Sequence, residues 1–411
     1  MNRPTHSKQL NHVIFLGAGA SYTSGYPIGR ELGLLMASRS YFAERVCKLY
    51  ADNMNIAEQL LKYFDRFTES VELFRHGGFA TVDEFSQLAS GSYPKHVQNM
   101  KKLMRIVLSL HNPEDNFHKS DYYPFVQRLF RSDSLNQFRN DISIITFNYD
   151  CYLDFVMQEA YRYRLSLSKI PNDIKDNPQL PKGPQEVLEE PWCSKLSSGF
   201  FRPEGEKQLA WELGQFNYFK LHGSISYGED PISGYKPLFV EAAVKRYGCL
   251  NDNFFQKQVP PVVFPWELFS GSGELAHESE HFQLMWKNAR QVVGQANKIS
   301  FVGLSMHEYL EQGLEKLFDD TGVLYPNGEK EVQVVVANTA NKGFEDSSTR
   351  LHPASPCGRV AELLRKYASN IKYIRSSSED DGMFRGEPTD KNDFDITPRY
   401  SFEEFIEREM D

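Results

Sequence analysis

The apolar run His12-Val13-Ile14-Phe15-Leu16 stops at Gly17 and predicts a buried strand. A helix is expected from about Pro27 or Ile28 to Arg39, because proline is tolerated in a first helical turn. Between 44 and 131 the pattern turns helical, with apolar residues at three-to-four spacing over Ala57–Phe64, Val82–Ala89, Val97–Leu110 and Tyr123–Phe130. Strand character returns at Asp141–Thr146 and gives way to a helix through about Tyr161. Further strands are expected at Tyr218–Leu221, Val262–Phe264, Lys298–Gly303, Glu331–Ala337 and Ile371–Ile374. Helices at about Phe282–Ala296, Tyr309–Phe318 and Arg359–Ala368 separate the last of them.

Strands that alternate with helices imply an α/β fold, a mostly parallel sheet covered by helices that binds ligands at the carboxyl ends of its strands. The expected organisation is a core over 1–375 with two insertions, a helical module at about 44–131 and a loop-rich segment at about 165–214. Five prolines between Pro171 and Pro191 mark the second of these. An acidic tail over 376–411 closes with Ser401-Phe402-Glu403-Glu404, a capping-box start for a short helix.

Composition narrows the function classes. The chain has 411 residues, 40 % hydrophobic and 25 % charged, and no apolar run long enough for a membrane span. The polar Met1–His12 segment lacks the apolar core of a secretory signal, so a cytoplasmic location is expected. A net charge of -9 disfavours broad binding to nucleic-acid phosphates. Cys47, Cys151, Cys193, Cys249 and Cys357 form no Cys-x-x-Cys pair, which argues against a disulfide framework and a zinc ribbon.

Gly17-Ala18-Gly19 lies where the first strand should turn into a helix, and small residues there let backbone N–H groups approach a pyrophosphate. Tyr22 occupies the place of the third glycine in G-x-G-x-x-G, so the loop is not a dehydrogenase fingerprint, and a tight packing turn is the alternative reading. Thr146-Phe147-Asn148-Tyr149-Asp150 ends a strand, where Asn148 suits a helix cap and Asp150 a helix N-terminus. Lys220-Leu221-His222-Gly223-Ser224 ends another strand, where His222 by itself reads as structural. His277-Glu278-Ser279-Glu280-His281 satisfies H-E-x-x-H, but Ser270-Gly271-Ser272-Gly273 lies just upstream and no third ligand is evident. A solvated helix start is the expectation, with no metal.

Together these segments resemble bacterial sirtuin-like domains. Gly17-Ala18-Gly19-Ala20-Ser21 followed by Ser24-Gly25-Tyr26-Pro27 resembles the sirtuin nucleotide loop, Thr146–Asp150 the Thr-x-Asn-Tyr-Asp segment, and Leu221-His222-Gly223 the Leu-His-Gly motif. Phe301-Val302-Gly303-Leu304-Ser305 is similar to the strand and Gly-x-Ser turn near the ribose and phosphates, and Val335-Val336-Ala337-Asn338 to the strand near the adenosine. Val82-Asp83-Glu84-Phe85 is similar to an acid-containing helix start of the bacterial members and is read as structural.

The resemblance implies a Rossmann-like core without a zinc ribbon, of the zinc-free kind found in antiphage defence. It implies that Gly17, Ala18, Gly19, Ser21, Arg30, Asp150, Gly303, Ser305 and Asn338 line an NAD site, with Asn148 and His222 catalytic. Ile28 and Gly29 stand where protein-deacylating sirtuins have Asp and Phe, which speaks against acyl-lysine chemistry. The implied activity is hydrolysis of the nicotinamide–ribose bond of NAD. A sensor of NAD or ADP-ribose is the alternative, and a metal-dependent nuclease subunit ranks last. The implied partners are further copies of the chain and a HerA-like hexameric ATPase or an Argonaute-type protein.

Overall fold

The computed structural model describes residues 11–22, 24–79, 81–110, 120–132, 138–168, 216–225, 240, 259–260, 262–269, 280–304, 308–321, 332–337, 360, 363, 371–375 and 402–410. Its centre is a six-stranded sheet of β1 (His12–Leu16), β2 (Ile142–Thr146), β3 (Asn217–Lys220), β4 (Lys298–Val302), β5 (Val332–Ala337) and β6 (Ile371–Arg375). The order is β3-β2-β1-β4-β5-β6, and every neighbouring pair is parallel. This order belongs to doubly wound α/β sheets, whose ligand crevice opens where the order reverses, here between β1 and β4.

All residues of β1 and β2 are buried, as the apolar runs require of strands covered on both faces. The period of two divides them. Ile14, Leu16 and Ile144 join one hydrophobic cluster, while Val13, Phe15 and Ile145 join the other. At the opposite end from the crevice, His12 Nε2 meets Ser300 Oγ at 2.7 Å, and burial holds this imidazole well below its usual pKa.

The first cluster packs beneath helices between β1 and β2: α1 (Ala18–Tyr22), α2 (Gly29–Ala37), α3 (Arg39–Leu49), α4 (Met54–Asp65), α5 (Thr68–His76), α6 (Val82–Ala89), α7 (Pro94–Leu108) and α8 (Tyr122–Leu129). Their boundaries follow local chemistry. Asn53 and Thr81 accept from Ile56 and Glu84 N–H at the starts of α4 and α6, and Pro94 takes a first-turn position in α7. Ser38 separates α2 from α3 by accepting from the Tyr41 N–H, so the expected single helix to Arg39 ends two residues early.

After β2 comes α9 (Tyr152–Ser168), and the chain later enters α10 (Pro265–Phe269), α11 (Glu280–Gly294) and α12 (Glu308–Thr321). The second cluster packs against α11 and α12. The terminal helix α13 (Phe402–Glu409) sets Phe402 edge-on to Tyr122 at 5.4 Å.

Val262–Phe264 is not the strand its apolar run suggested. Only an isolated antiparallel bridge joins Val262 to Gly223, and Phe264 N–H donates to Glu267 Oε2 at 2.6 Å as α10 begins. Pro260, Pro261 and Pro265 remove the N–H groups a ladder would need. The loop-rich segment beyond residue 168, most of the expected 359–368 helix, and the tail up to 401 lie outside the described residues.

Candidate functional site

The four strands on one side of the sheet end in the motifs singled out above. Neighbours β3, β2, β1 and β4 deliver Leu221–Ser224, Phe147–Asp150, Gly17–Ser21 and Gly303 to one carboxyl edge. At about 4.8 Å between strands this edge is roughly 14 Å wide.

The reversal point is closed by backbone against backbone. Gly17 N–H donates to Val302 O at 2.9 Å and Gly19 N–H to Gly303 O at 2.8 Å. Gly303 has φ +61, and a Cβ there would lie 2.1 Å from Ala20 N, while one on Gly19 would lie 2.8 Å from Gly303 O. The glycines therefore permit the two loops to touch, and the Gly17 and Gly19 N–H groups face the end of β4 rather than a ligand. Ala18, at the start of α1, is the exposed residue of this turn.

Ser21 is the hub beneath it. Its hydroxyl donates to Asp150 Oδ2 at 2.9 Å, accepts from Asn148 Nδ2 at 3.0 Å and lies 3.1 Å from the Tyr122 hydroxyl. With the serine proton directed to Asp150, the tyrosine donates. Asn148 Nδ2 also donates to Gly17 O at 2.9 Å, and its backbone N–H to Thr146 Oγ1 at 3.1 Å. Both hydrogens of the Asn148 amide thus tie the β2 loop to the β1 loop.

Asp150 Oδ1 accepts from Tyr152 N–H at 3.0 Å. Burial pushes the Asp150 carboxyl above its usual range, opposed by the nearby Lys220 ammonium and the bonds from Tyr152 and Ser21. Lys220 Nζ donates to the Asp150 carbonyl and, at 2.8 Å, to Asp154 Oδ2. The structure brings Ser21, Asn148 and Asp150 together as a buried, hydrogen-bonded brace.

His222 follows β3 on a tight turn, with Gly223 at φ 76 donating to Lys220 O at 2.9 Å. The imidazole is 3 % exposed and packs against Phe147 and Tyr149, with ring centroids 5.0 and 6.0 Å away. Tyr149 carbonyl accepts from Ile225 N–H at 3.0 Å, so the β2 and β3 loops are stitched together beside the histidine.

A second polar group lies under this loop; the sequence reading took its Asp83 as structural and missed Lys101, Arg105 and Glu267. Tyr149 hydroxyl donates to Asp83 Oδ1 at 3.2 Å, and burial pushes the Asp83 carboxyl up to about 6. Lys101 Nζ donates to both oxygens of Glu267 at 2.8 and 2.9 Å and to Val262 O at 2.8 Å. Arg105 Nε donates to Ile225 O at 2.9 Å, and burial lowers its pKa to about 9. The signal was available: Lys101 and Arg105 share a helical stripe with apolar Val97, Met104 and Leu108. Charged residues on an apolar stripe are seldom buried without a role.

Arg30 lies in the first turn of α2, and Ser305 and Asn338 lie outside the described residues. His277, Glu278 and Ser279 of H-E-x-x-H also lie outside them. Among the described residues no group of three or more His, Cys, Asp and Glu could hold a metal ion, and no helix is long and apolar enough to cross a membrane. No protein-family model matches the chain, and no curated protein matches it.

Proposed function

We propose that the chain is a Rossmann-like, zinc-free, sirtuin-like NAD hydrolase that cleaves the nicotinamide–ribose bond to give nicotinamide and ADP-ribose. One observation carries this reading: three motifs named from the sequence, together with Gly303, converge on the carboxyl edge of neighbouring strands β3, β2, β1 and β4. The reversal of strand order, where doubly wound sheets bind nucleotides, lies within that edge.

In this reading the Gly17–Ser21 turn and Gly303 provide a floor of small residues for the pyrophosphate, with the exposed Ala18 facing it. Breaking the glycosidic bond builds positive charge on the ribose, and nicotinamide leaves as a neutral base. Water then adds to the ribose carbon, and His222 accepts its proton. Asn148, between the β1 and β2 loops, positions the ribose and the water. A general base of this kind contributes about 10² to 10⁴ in rate.

Such an activity would deplete cellular NAD, so the proposal includes a cytoplasmic antiphage role. Silence in the healthy cell would come from self-association or from a HerA-like ATPase or Argonaute-type partner. The test is nicotinamide release from NAD, followed by chromatography for wild type, His222→Ala and Asn148→Ala, alone and with any co-purifying partner. Loss of release in His222→Ala is expected. Release that survives this substitution contradicts the assignment.

A second reading draws on the bonding of Asn148, whose amide hydrogens are both engaged by Gly17 and Ser21. Asn148 would then be architecture in a sensor that binds NAD or ADP-ribose without turnover. Nucleotide binding with no nicotinamide release under any condition favours the sensor.

A further inference from the structure

The acid at the start of α6 has a geometry that a purely structural helix start does not need. Thr81 already caps α6 by accepting from Glu84 N–H, so the Asp83 side chain is left for another partner. That partner is distant in sequence: the Tyr149 hydroxyl, 3.2 Å from Asp83 Oδ1. The same tyrosine ring is stacked on the His222 imidazole, at 6.0 Å and 28° between planes. Phe264 meets Tyr149 edge-on at 6.1 Å, and Phe147 contacts His222 at 5.0 Å. Tyr149 thus has its ring against the histidine, its carbonyl on Ile225 N–H and its hydroxyl on an acid from the helical block.

We propose that Asp83 is a positioning residue for His222, acting through Tyr149 to fix the imidazole at the carboxyl edge of the sheet. The idea rests on the reading of His222 as the working base of the site. The direction of the hydrogen bond follows from the charges around it. Glu267 on α10 raises the Asp83 pKa and Lys101 on α7 lowers it, while burial raises it most, to about 6. At pH 7.5 the carboxyl is still ionised and can only accept. Burial and Asp83 itself hold Tyr149 well above its usual pKa, so it remains a phenol and donates.

Lys101 does not substitute for Tyr149, because its ammonium is directed to Glu267 and Val262 O. The Asp83–Tyr149 bond therefore links the helical block to the two loops that carry Asn148 and His222. A shift of α6 would reach the imidazole by this route.

The test compares wild type, Asp83→Ala, Tyr149→Phe and the double variant, all as full chains. The primary readout is the His222 ring signal in carbon–proton NMR of histidine-labelled protein at pH 7.5, assigned with His222→Gln. Both single variants are expected to move this signal, and the double variant to match the larger single shift, because the residues act in series. Nicotinamide release should fall about five- to tenfold in kcat, the equivalent of one hydrogen bond, with KM little changed. Melting curves establish that each variant is folded. Tyr149→Phe, which removes one oxygen, carries the test alone if Asp83→Ala does not fold.

A His222 signal that coincides with wild type in a folded variant overturns the proposal, as do single effects that simply add in the double variant. Wild-type protein that releases no nicotinamide, but whose His222 signal responds as expected, retains the positioning link and overturns the hydrolase reading instead.

Discussion

Two buried polar groups sit side by side at the same edge of the sheet, and they are built on opposite terms. Around Ser21, the partners Asn148, Asp150 and Tyr122 are hydrogen-bonded to it, and Lys220 offsets the burial of Asp150. Around Asp83, the Tyr149 hydroxyl donates to the carboxylate while Lys101 is committed to Glu267, and the carboxyl is pushed up to about 6. A satisfied network specifies one arrangement of loops. In the proposed function the first group holds the loops beneath the nucleotide and the second positions His222.

The comparison can be broken most forcefully at the ion pair beneath the second group. Lys101 and Glu267 are 6 % and 5 % exposed. Lys101→Met leaves a buried carboxylate beside Asp83 and should cost about 3–5 kcal/mol in urea unfolding. A loss below 1 kcal/mol would mean that water reaches this pair.

Next in size is Gly303→Ala. The new methyl meets Ala20 N of the facing loop, at a backbone φ that L residues rarely adopt. A loss of about 2–3 kcal/mol is expected by thermal unfolding, together with weakened nucleotide binding.

Ser21→Ala probes the satisfied network itself. It leaves one Asn148 amide hydrogen without its acceptor, takes the serine oxygen from the Tyr122 hydroxyl and removes a donor to Asp150, so about 1–3 kcal/mol should be lost. Stability close to wild type would show that the network is not the brace it is taken to be.

The smallest effect has the opposite sign. Asp83 has its folded pKa raised from 3.8 to about 6, so its contribution to stability is fully present below about 3.8 and is lost as pH rises through about 6. Asp83→Asn mimics the protonated acid and should stabilise the protein at pH 7.5 by up to about 2 kcal/mol. The gain should vanish near pH 4. Melting temperatures of both proteins from pH 4 to 8 measure this, and equal curves would remove the contrast between the two acids.

What the sequence made legible is what depends on near neighbours. The apolar runs at His12–Leu16 and Asp141–Thr146 and the helix at Val82–Ala89 were readable because burial imposes a period within each segment. The three glycine-, Asn- and His-bearing turns were readable because each follows such a run. The parallel sheet followed from the alternation of strands and helices.

The partners were not legible. Ser21 meets Tyr122 and Asp150 more than a hundred positions away, Lys101 meets Glu267 across 166 positions, and Asp83 meets Tyr149 across 66. No local period encodes such pairs. Val262–Phe264 failed for a related reason: a short apolar run does not distinguish a strand from a buried approach to a helix, and the flanking prolines decided it.

The proposed function divides binding and turnover between the two groups. Calorimetric titration with ADP-ribose of wild type, Ser21→Ala and His222→Ala, paired with nicotinamide release from NAD, tests it most directly. His222→Ala is expected to bind ADP-ribose as wild type does but to lose at least about a hundredfold in turnover. Ser21→Ala should bind more weakly. Wild-type turnover in His222→Ala, or unchanged binding in a folded Ser21→Ala, would contradict the division.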